Sequence, residues 1–204
     1  MNEHPFADDW YLMFEINELR KRYEVKTIIE TGTWKGNTAL ILSTLFDKVI
    51  TIEINDDFFN EADWLEDRDN ITRLLGDSAY WLNIYGKLNY KKEEPVMIFL
   101  DAHSFGNGCP LYKEIDSLIE NDMNEVILVV HDCLVPSNEQ LGYDVYENVP
   151  ISLSYIKGKL DDLYGVGQYT YFYNRKALGE ERGVLFVVPI VLIRRRNEAF
   201  NKRI

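Results

Sequence analysis

The chain has 204 residues, 46% of them apolar, and a formal net charge of −12. That length suits one domain with a full core, and the acidic balance argues against a nucleic-acid backbone as substrate, because phosphate binding needs a basic face. Two cysteines, Cys109 and Cys133, imply no disulfide framework and point to a reducing, cytoplasmic setting; the opening MNEHPFADDW lacks the pattern of a secretion signal, and no run approaches the ~18 apolar residues of a membrane span.

Residues 5–23 predict a helix, with Phe6, Trp10, Met13, Ile16, Leu19 and Tyr23 at steps of three and four. It either packs on a sheet or covers the ligand site, and Lys21, Arg22 and Lys26 read as a solvated face. The stretch TIIETGTWKGNTALIL, Thr27 to Leu42, follows. Its β-branched start reads as a strand covered on both faces, closed by Glu30. Gly32 and Gly36 bracket Thr33, Trp34 and Lys35. Glycine allows positive φ and close backbone approach, so this turn suits a ligand packed against the main chain. Asn37 or Thr38 caps the next helix, whose N-terminus offers free N–H groups to that ligand. A Walker loop would need Lys and Ser or Thr after the second glycine, and a dinucleotide fingerprint would need a third glycine.

Val49–Ile54 is a second buried strand with Glu53 near its end. An acid about 20 positions beyond a glycine turn is where nucleotide folds bind ribose hydroxyls. Phe58, Phe59, Ala62 and Leu65 mark a core helix. Ile71–Leu75 is a third strand that runs into Gly76-Asp77-Ser78, where Asp77 or Ser78 also serves as a helix cap. Val96–Leu100 and Val126–Val130 are strands four and five, separated by a helix through Leu111, Ile115, Leu118 and Ile119. The first runs into Asp101-Ala102-His103 and the second into His131-Asp132-Cys133, so Asp101, His103, His131 and Asp132 converge if both strands end on one sheet edge. Such a set supports two chemistries: a histidine removing a hydroxyl proton, or carboxylates holding a divalent cation that activates the hydroxyl.

Residues 132–150 predict a long polar loop that faces the substrate. Leu153, Ile156, Leu160 and Leu163 mark a helix; Gln168–Tyr173 is a half-exposed strand, and Val184–Ile193 a final strand that Pro189 places at an edge or bulge. These two strands predict an antiparallel hairpin at the sheet edge. Arg194-Arg195-Arg196, with Lys202 and Arg203, reads as a solvated tail.

ETGTWKGNT resembles motif I of the class I S-adenosylmethionine (SAM)-dependent methyltransferases, in the form carried by small-molecule O-methyltransferases of the catechol, caffeoyl-CoA and macrocin types. LDAH followed by a helix and VVHD looks like their D-x-H … H-D pattern, and the resemblance extends from Thr27 to Ile193. It implies a three-layer α/β sandwich, Rossmann-like, with a seven-stranded, mostly parallel sheet ending in the antiparallel hairpin. It implies one methyltransferase domain over residues 1–204 that transfers a methyl group to a small-molecule acceptor, most simply at a hydroxyl. Glu30, Gly32, Thr33, Gly36, Asn37, Thr38, Glu53, Asp77 and Ser78 would then hold SAM. His131, His103 and Asp101 would serve the acceptor, and Asp101 and Asp132 a divalent cation such as Mg or Mn. Cys133 departs from the pattern, since a further Asp or Asn often stands there, and this leaves the metal open. No nucleic-acid or membrane partner is expected, and a homodimer is one option for the assembly. Two other readings stay on the page: a SAM- or nucleotide-binding module without catalysis, and an NAD-dependent oxidoreductase on a related fold.

Overall fold

The computed structural model describes residues 5–102, 108–136 and 138–201. A short 3-10 turn, Pro5–Asp8, precedes α1 (Trp10–Tyr23). Then follow β1 (Thr27–Thr31), α2 (Asn37–Leu45), β2 (Lys48–Glu53), α3 (Asp56–Glu61), β3 (Ile71–Leu75), α4 (Ser78–Leu88), β4 (Val96–Leu100), α5 (Leu111–Glu120) and β5 (Ile127–Val130). A two-stranded hairpin, β6 (Val145–Tyr146) and β7 (Val149–Pro150), leads into α6 (Leu153–Tyr164), β8 (Tyr169–Tyr173), β9 (Leu185–Pro189) and α7 (Ile190–Asn201).

Seven strands form one sheet in the order β3-β2-β1-β4-β5-β9-β8. Strand β9 runs antiparallel to both neighbours, and the other six are mutually parallel. The continuous apolar runs VMIFL and ILVV take the centre as β4 and β5, buried at every position, because helices cover both faces there. Strands β3 and β8, which mix polar with apolar residues, form the edges. Side chains alternate between two cores. Ile29, Ile98 and Leu128 pack against Leu82 of α4, Ile115 of α5 and Ile156 of α6. Ile28, Phe99 and Phe186 pack against Ile16 of α1, Leu42 of α2 and Leu192 of α7. Burying a Leu, Ile or Phe contributes roughly 1.5–3 kcal/mol, so the two cores lock the strand register.

Four expectations need correction. The first helix starts at Trp10, because Asp9 caps it and accepts from the backbone N–H groups of Tyr11 and Leu12 at 3.0 and 3.2 Å. Its buried stripe is Leu12, Ile16 and Leu19, while Trp10 is half exposed. The last strand stops at Pro189, and Ile190 begins α7, which carries the arginines read as a tail. Arg195 there grips both carboxylate oxygens of Glu125. Strand β9 is interior rather than an edge; it tolerates Pro189 because the proline is its last rung, and the next donor, Ile190 N–H, reaches Gln168 O at 2.8 Å. Finally, residues 132–150 are not simply a loop. They contain the β6–β7 hairpin, turned by Glu147 and Asn148 at φ 51° and 64°, the two positive angles of a type I′ turn. Among the described residues no helix is long and apolar enough to cross a membrane.

Candidate functional site

The parallel register sets the site. Thr31 at the end of β1 is flanked by Ile52 of β2 and Leu100 of β4, so the next residues out, Gly32, Glu53 and Asp101, emerge side by side. Gly32 has φ 86°, and a Cβ there would lie 2.5 Å from the Asp101 carbonyl oxygen. Only glycine lets the β1 turn pass so close to the β4 end. Glu53 is buried and accepts two backbone N–H groups, from Trp34 at 2.8 Å and Asn55 at 2.9 Å. Trp34 is held at φ 45° by this turn, a strained setting for a non-glycine residue. Asp77 caps α4 through the Tyr80 N–H at 2.9 Å.

Gly32, Trp34, Glu53, Asp77, Ser78 and Asp101 line one cleft of about 880 Å³ at the carboxyl edge of the sheet. The far wall comes from the start of α5 (Cys109, Pro110, Lys113), from Tyr155 of α6 and from Tyr146, Glu147 and Val149 of the hairpin. The cleft therefore joins the glycine turn to the hairpin. Glu30, Thr33, Gly36, Asn37 and Thr38 are not on its lining; they support the turn from behind. The Thr51 hydroxyl donates to Glu30 at 2.6 Å and shares a 2.5 Å contact with the Thr33 hydroxyl. Burial pushes the Glu30 carboxyl up to about 8, against the Thr51 hydrogen bond. Gly36, at φ 81°, begins α2 and presses on Leu65, where a Cβ would meet Cδ1 at 2.6 Å. Thr38 accepts from the Phe6 N–H at 3.0 Å, which ties the N-terminal turn to α2.

Asp101, His131 and Asp132 do come together. His131 Nδ1 lies 2.9 Å from Asp101 Oδ1 and 3.4 Å from Asp132 Oδ1. The imidazole is only 9% exposed and is not on the cleft lining. Burial works against its charge, yet Asp101 and Asp132 overcome this and raise its pKa well above the usual value. Asp132 also pairs with Arg182, whose other arm holds Asp144 at the base of the hairpin. Burial opposes ionisation of Asp132, but His131 and Arg182 together hold it far below the usual carboxylate range. The sequence analysis passed over Arg182; its partners lie 50 and 38 residues away, and no local pattern marks it. His103 lies outside the described residues.

One ligand atom from each of Asp101, His131 and Asp132 lies within 4.8 Å of the others, the spacing of a metal group. The donors do not fit a divalent cation as arranged. Arg182 already neutralises Asp132, and His131 Nδ1 is already engaged by Asp101 at 2.9 Å, so an ion would have to displace both contacts. The Arg182 guanidinium stands beside Asp132 where a metal's charge would.

The strand order, the single antiparallel strand and the glycine turn make this the fold of the class I SAM-dependent methyltransferases. No protein-family model and no curated protein sequence matches the chain. Solved structures do. The O-methyltransferase TomG from Streptomyces achromogenes, involved in tomaymycin synthesis and in complex with SAM, superposes with TM-score 0.58 at 14% identity, over 86% of this chain and 78% of that one. An O-methyltransferase from Bacillus cereus in complex with SAH gives 0.58 at 15% identity, over 91% and 84%. An rRNA methylase from Streptococcus thermophilus gives 0.50 at 10%, over 93% and 99%. At such identities the likeness is one of fold, and it spans acceptors as different as a natural product and an RNA.

Proposed function

We propose that the chain is a single-domain, SAM-dependent methyltransferase that methylates a hydroxyl of a small molecule without a metal ion. The observation that carries this reading is the register that delivers Gly32, Glu53 and Asp101 from three adjacent strands to one cleft. When bound, SAM supplies an electrophilic methyl group on a sulfonium centre. Glu53 is placed to accept the ribose hydroxyls, as acids at this strand end do in nucleotide folds, with its carboxylate held in line by the Trp34 and Asn55 N–H groups. Asp77 and Ser78 bound the cleft beyond Gly76 and would meet the adenine.

Asp101 is the carboxylate that reaches the cleft from the β4 end, with its side chain 30% exposed. It holds the acceptor hydroxyl and takes its proton as the oxygen bonds to the methyl carbon and the carbon–sulfur bond breaks. Alignment for this in-line displacement is the main contribution such a site makes. His131 is a positioning residue here: its imidazolium fixes the Asp101 carboxylate from behind. A small acceptor suits a cleft lined by four carboxylates (Glu53, Asp77, Asp101, Glu147) and one lysine, Lys113, better than a polyanion does.

Isothermal titration with S-adenosylhomocysteine is the test. Binding that is unchanged by Mg²⁺ or by EDTA is expected, together with no response to NADH. Absence of binding would sink the cofactor reading, and a metal-dependent heat would sink the metal-free one. Asp101→Asn is expected to lower turnover by ~10²-fold or more, the usual worth of a positioned proton acceptor, with S-adenosylhomocysteine affinity unchanged.

A further inference from the structure

The reading above leaves the far wall of the cleft without a task. Two tyrosines, Tyr146 and Tyr155, and one carboxylate, Glu147, line it. Tyr155 is stacked on Tyr112, with ring centroids 4.4 Å apart and planes 9° from parallel, so its ring is fixed in place. The Tyr112 hydroxyl donates to the Tyr155 carbonyl at 2.5 Å, which anchors the pair. Tyr146 is set by the hairpin and donates its hydroxyl to Asp144 Oδ2 at 3.4 Å. Burial disfavours ionisation of both phenols, so both rings stay neutral, and Cys109 lines the same cleft. The Glu147 carboxylate lines the same cleft, and its negative charge adds to the cost of ionising Tyr155. It sits at the hairpin turn and makes no ion pair among the described residues. Neutral tyrosine faces carry negative charge density that attracts cations, and a carboxylate beside them adds to that attraction.

The charge inventory agrees. Lys113 is the one cationic side chain on the described lining, and residues 103–107, HSFGN, contain no Lys or Arg. The other three lining carboxylates are engaged: Glu53 by two N–H groups, Asp77 by its helix, Asp101 by His131.

We propose that Tyr146, Glu147 and Tyr155 form a cation subsite that takes the ammonium group of an amine-bearing acceptor. This rests on the methyltransferase reading for the acceptor's role, though not for the binding itself. The subsite selects the acceptor by charge: an ammonium docks against the hairpin, and an anionic group at the same place is rejected.

The test uses three probes of one size, benzylamine, benzyl alcohol and benzoate, titrated into the protein saturated with S-adenosylhomocysteine. Benzylamine is expected to bind about tenfold tighter than benzyl alcohol, with benzoate weaker still. Glu147→Gln should erase the benzylamine advantage, and Glu147→Lys should make benzoate the tighter ligand. Tyr155→Leu should weaken benzylamine and leave benzyl alcohol within about threefold. Glu147 is exposed at a turn, so its variants keep the fold. Equal affinities in the wild type, a preference that survives Glu147→Gln, or no binding of any probe at millimolar concentration would each overturn the proposal. S-adenosylhomocysteine affinity is read separately. Its absence, with benzylamine selection intact in the cofactor-free protein, would remove the methyltransferase reading and keep the cation subsite.

Discussion

Gly32 stands against the Asp101 carbonyl at φ 86°, where a side chain has neither the backbone angle nor the room. The neighbour it would strike is main chain at the end of a central strand, which cannot give way. Gly32→Ala is therefore expected to lower stability by about 2 kcal/mol or more and to weaken S-adenosylhomocysteine binding at least tenfold, by about 1.4 kcal/mol. Thermal melts and titration read the two effects; a variant that melts and binds like the wild type would refute the close approach. Gly32 was legible from the sequence because its neighbours in the chain define the turn. Arg182 was not, because what makes it matter is a pair of carboxylates distant along the chain.

The hairpin supplies part of the far wall of the cleft. The backbone leading into it is stitched to the turn after β5 and to the segment before β9: Asp144 N–H donates to Asp132 O at 3.0 Å, and Gly142 N–H to Glu181 O at 2.8 Å. Arg182 completes the attachment by holding Asp132 and Asp144 together. Through Asp132 and His131 the same chain of contacts reaches Asp101, so the hairpin and the Asp101 carboxylate share one support. Arg182→Met leaves two largely buried carboxylates facing each other. It is expected to cost about 3 kcal/mol, to speed proteolysis between residues 142 and 150, and to raise the acceptor KM several-fold. S-adenosylhomocysteine affinity should stay within about twofold, because the glycine turn lies on other strands. Equal losses in both affinities would show that the hairpin has no separate role. Arg182→Lys keeps the charge without the two-armed grip and should fall between the two.

Across the whole molecule, three buried groups push stability the same way with pH. Burial raises Glu30 from 4.5 to about 8 and Glu114 from 4.5 to about 7. His131 is raised well above 6.5 by Asp101 and Asp132, which outweigh its burial. Each of these groups keeps its proton in the folded chain at pH values where the unfolded chain has lost it. The unfolded state thus binds fewer protons, and stability falls as pH rises. For the two acids the decline begins above 4.5 and ends near 8 and 7; for His131 the stabilisation is full below 6.5 and is lost as pH passes its folded value. Asp132 acts oppositely, its contribution being lost only below its unfolded 3.8. The midpoint of thermal unfolding is expected to fall by about 5 °C or more between pH 5.5 and 8.5, and Glu30→Gln should flatten that slope. A midpoint that rises over the same interval would contradict the burial of these acids.

The sequence alone determined the order of strands and helices from α1 to β9, the β6–β7 hairpin excepted, with the glycine turn and the acidic strand ends. Each of these is written within a few residues as a run of apolar side chains, a pair of glycines or an acid after a strand. Tertiary structure alone decided which of the marked residues share the cleft. Register placed Gly32, Glu53 and Asp101 on it and left Glu30, Thr33 and Thr38 behind it. It turned His131 into a buried partner of two acids rather than a group facing the cleft. It also joined Arg182 to Asp132 and Asp144, and brought Tyr155 of α6 and Glu147 of the hairpin to one cleft. The physical reason is one of range: periodicity and turn chemistry act between near neighbours, whereas ion pairs and cleft walls form between side chains that only the packed sheet brings together.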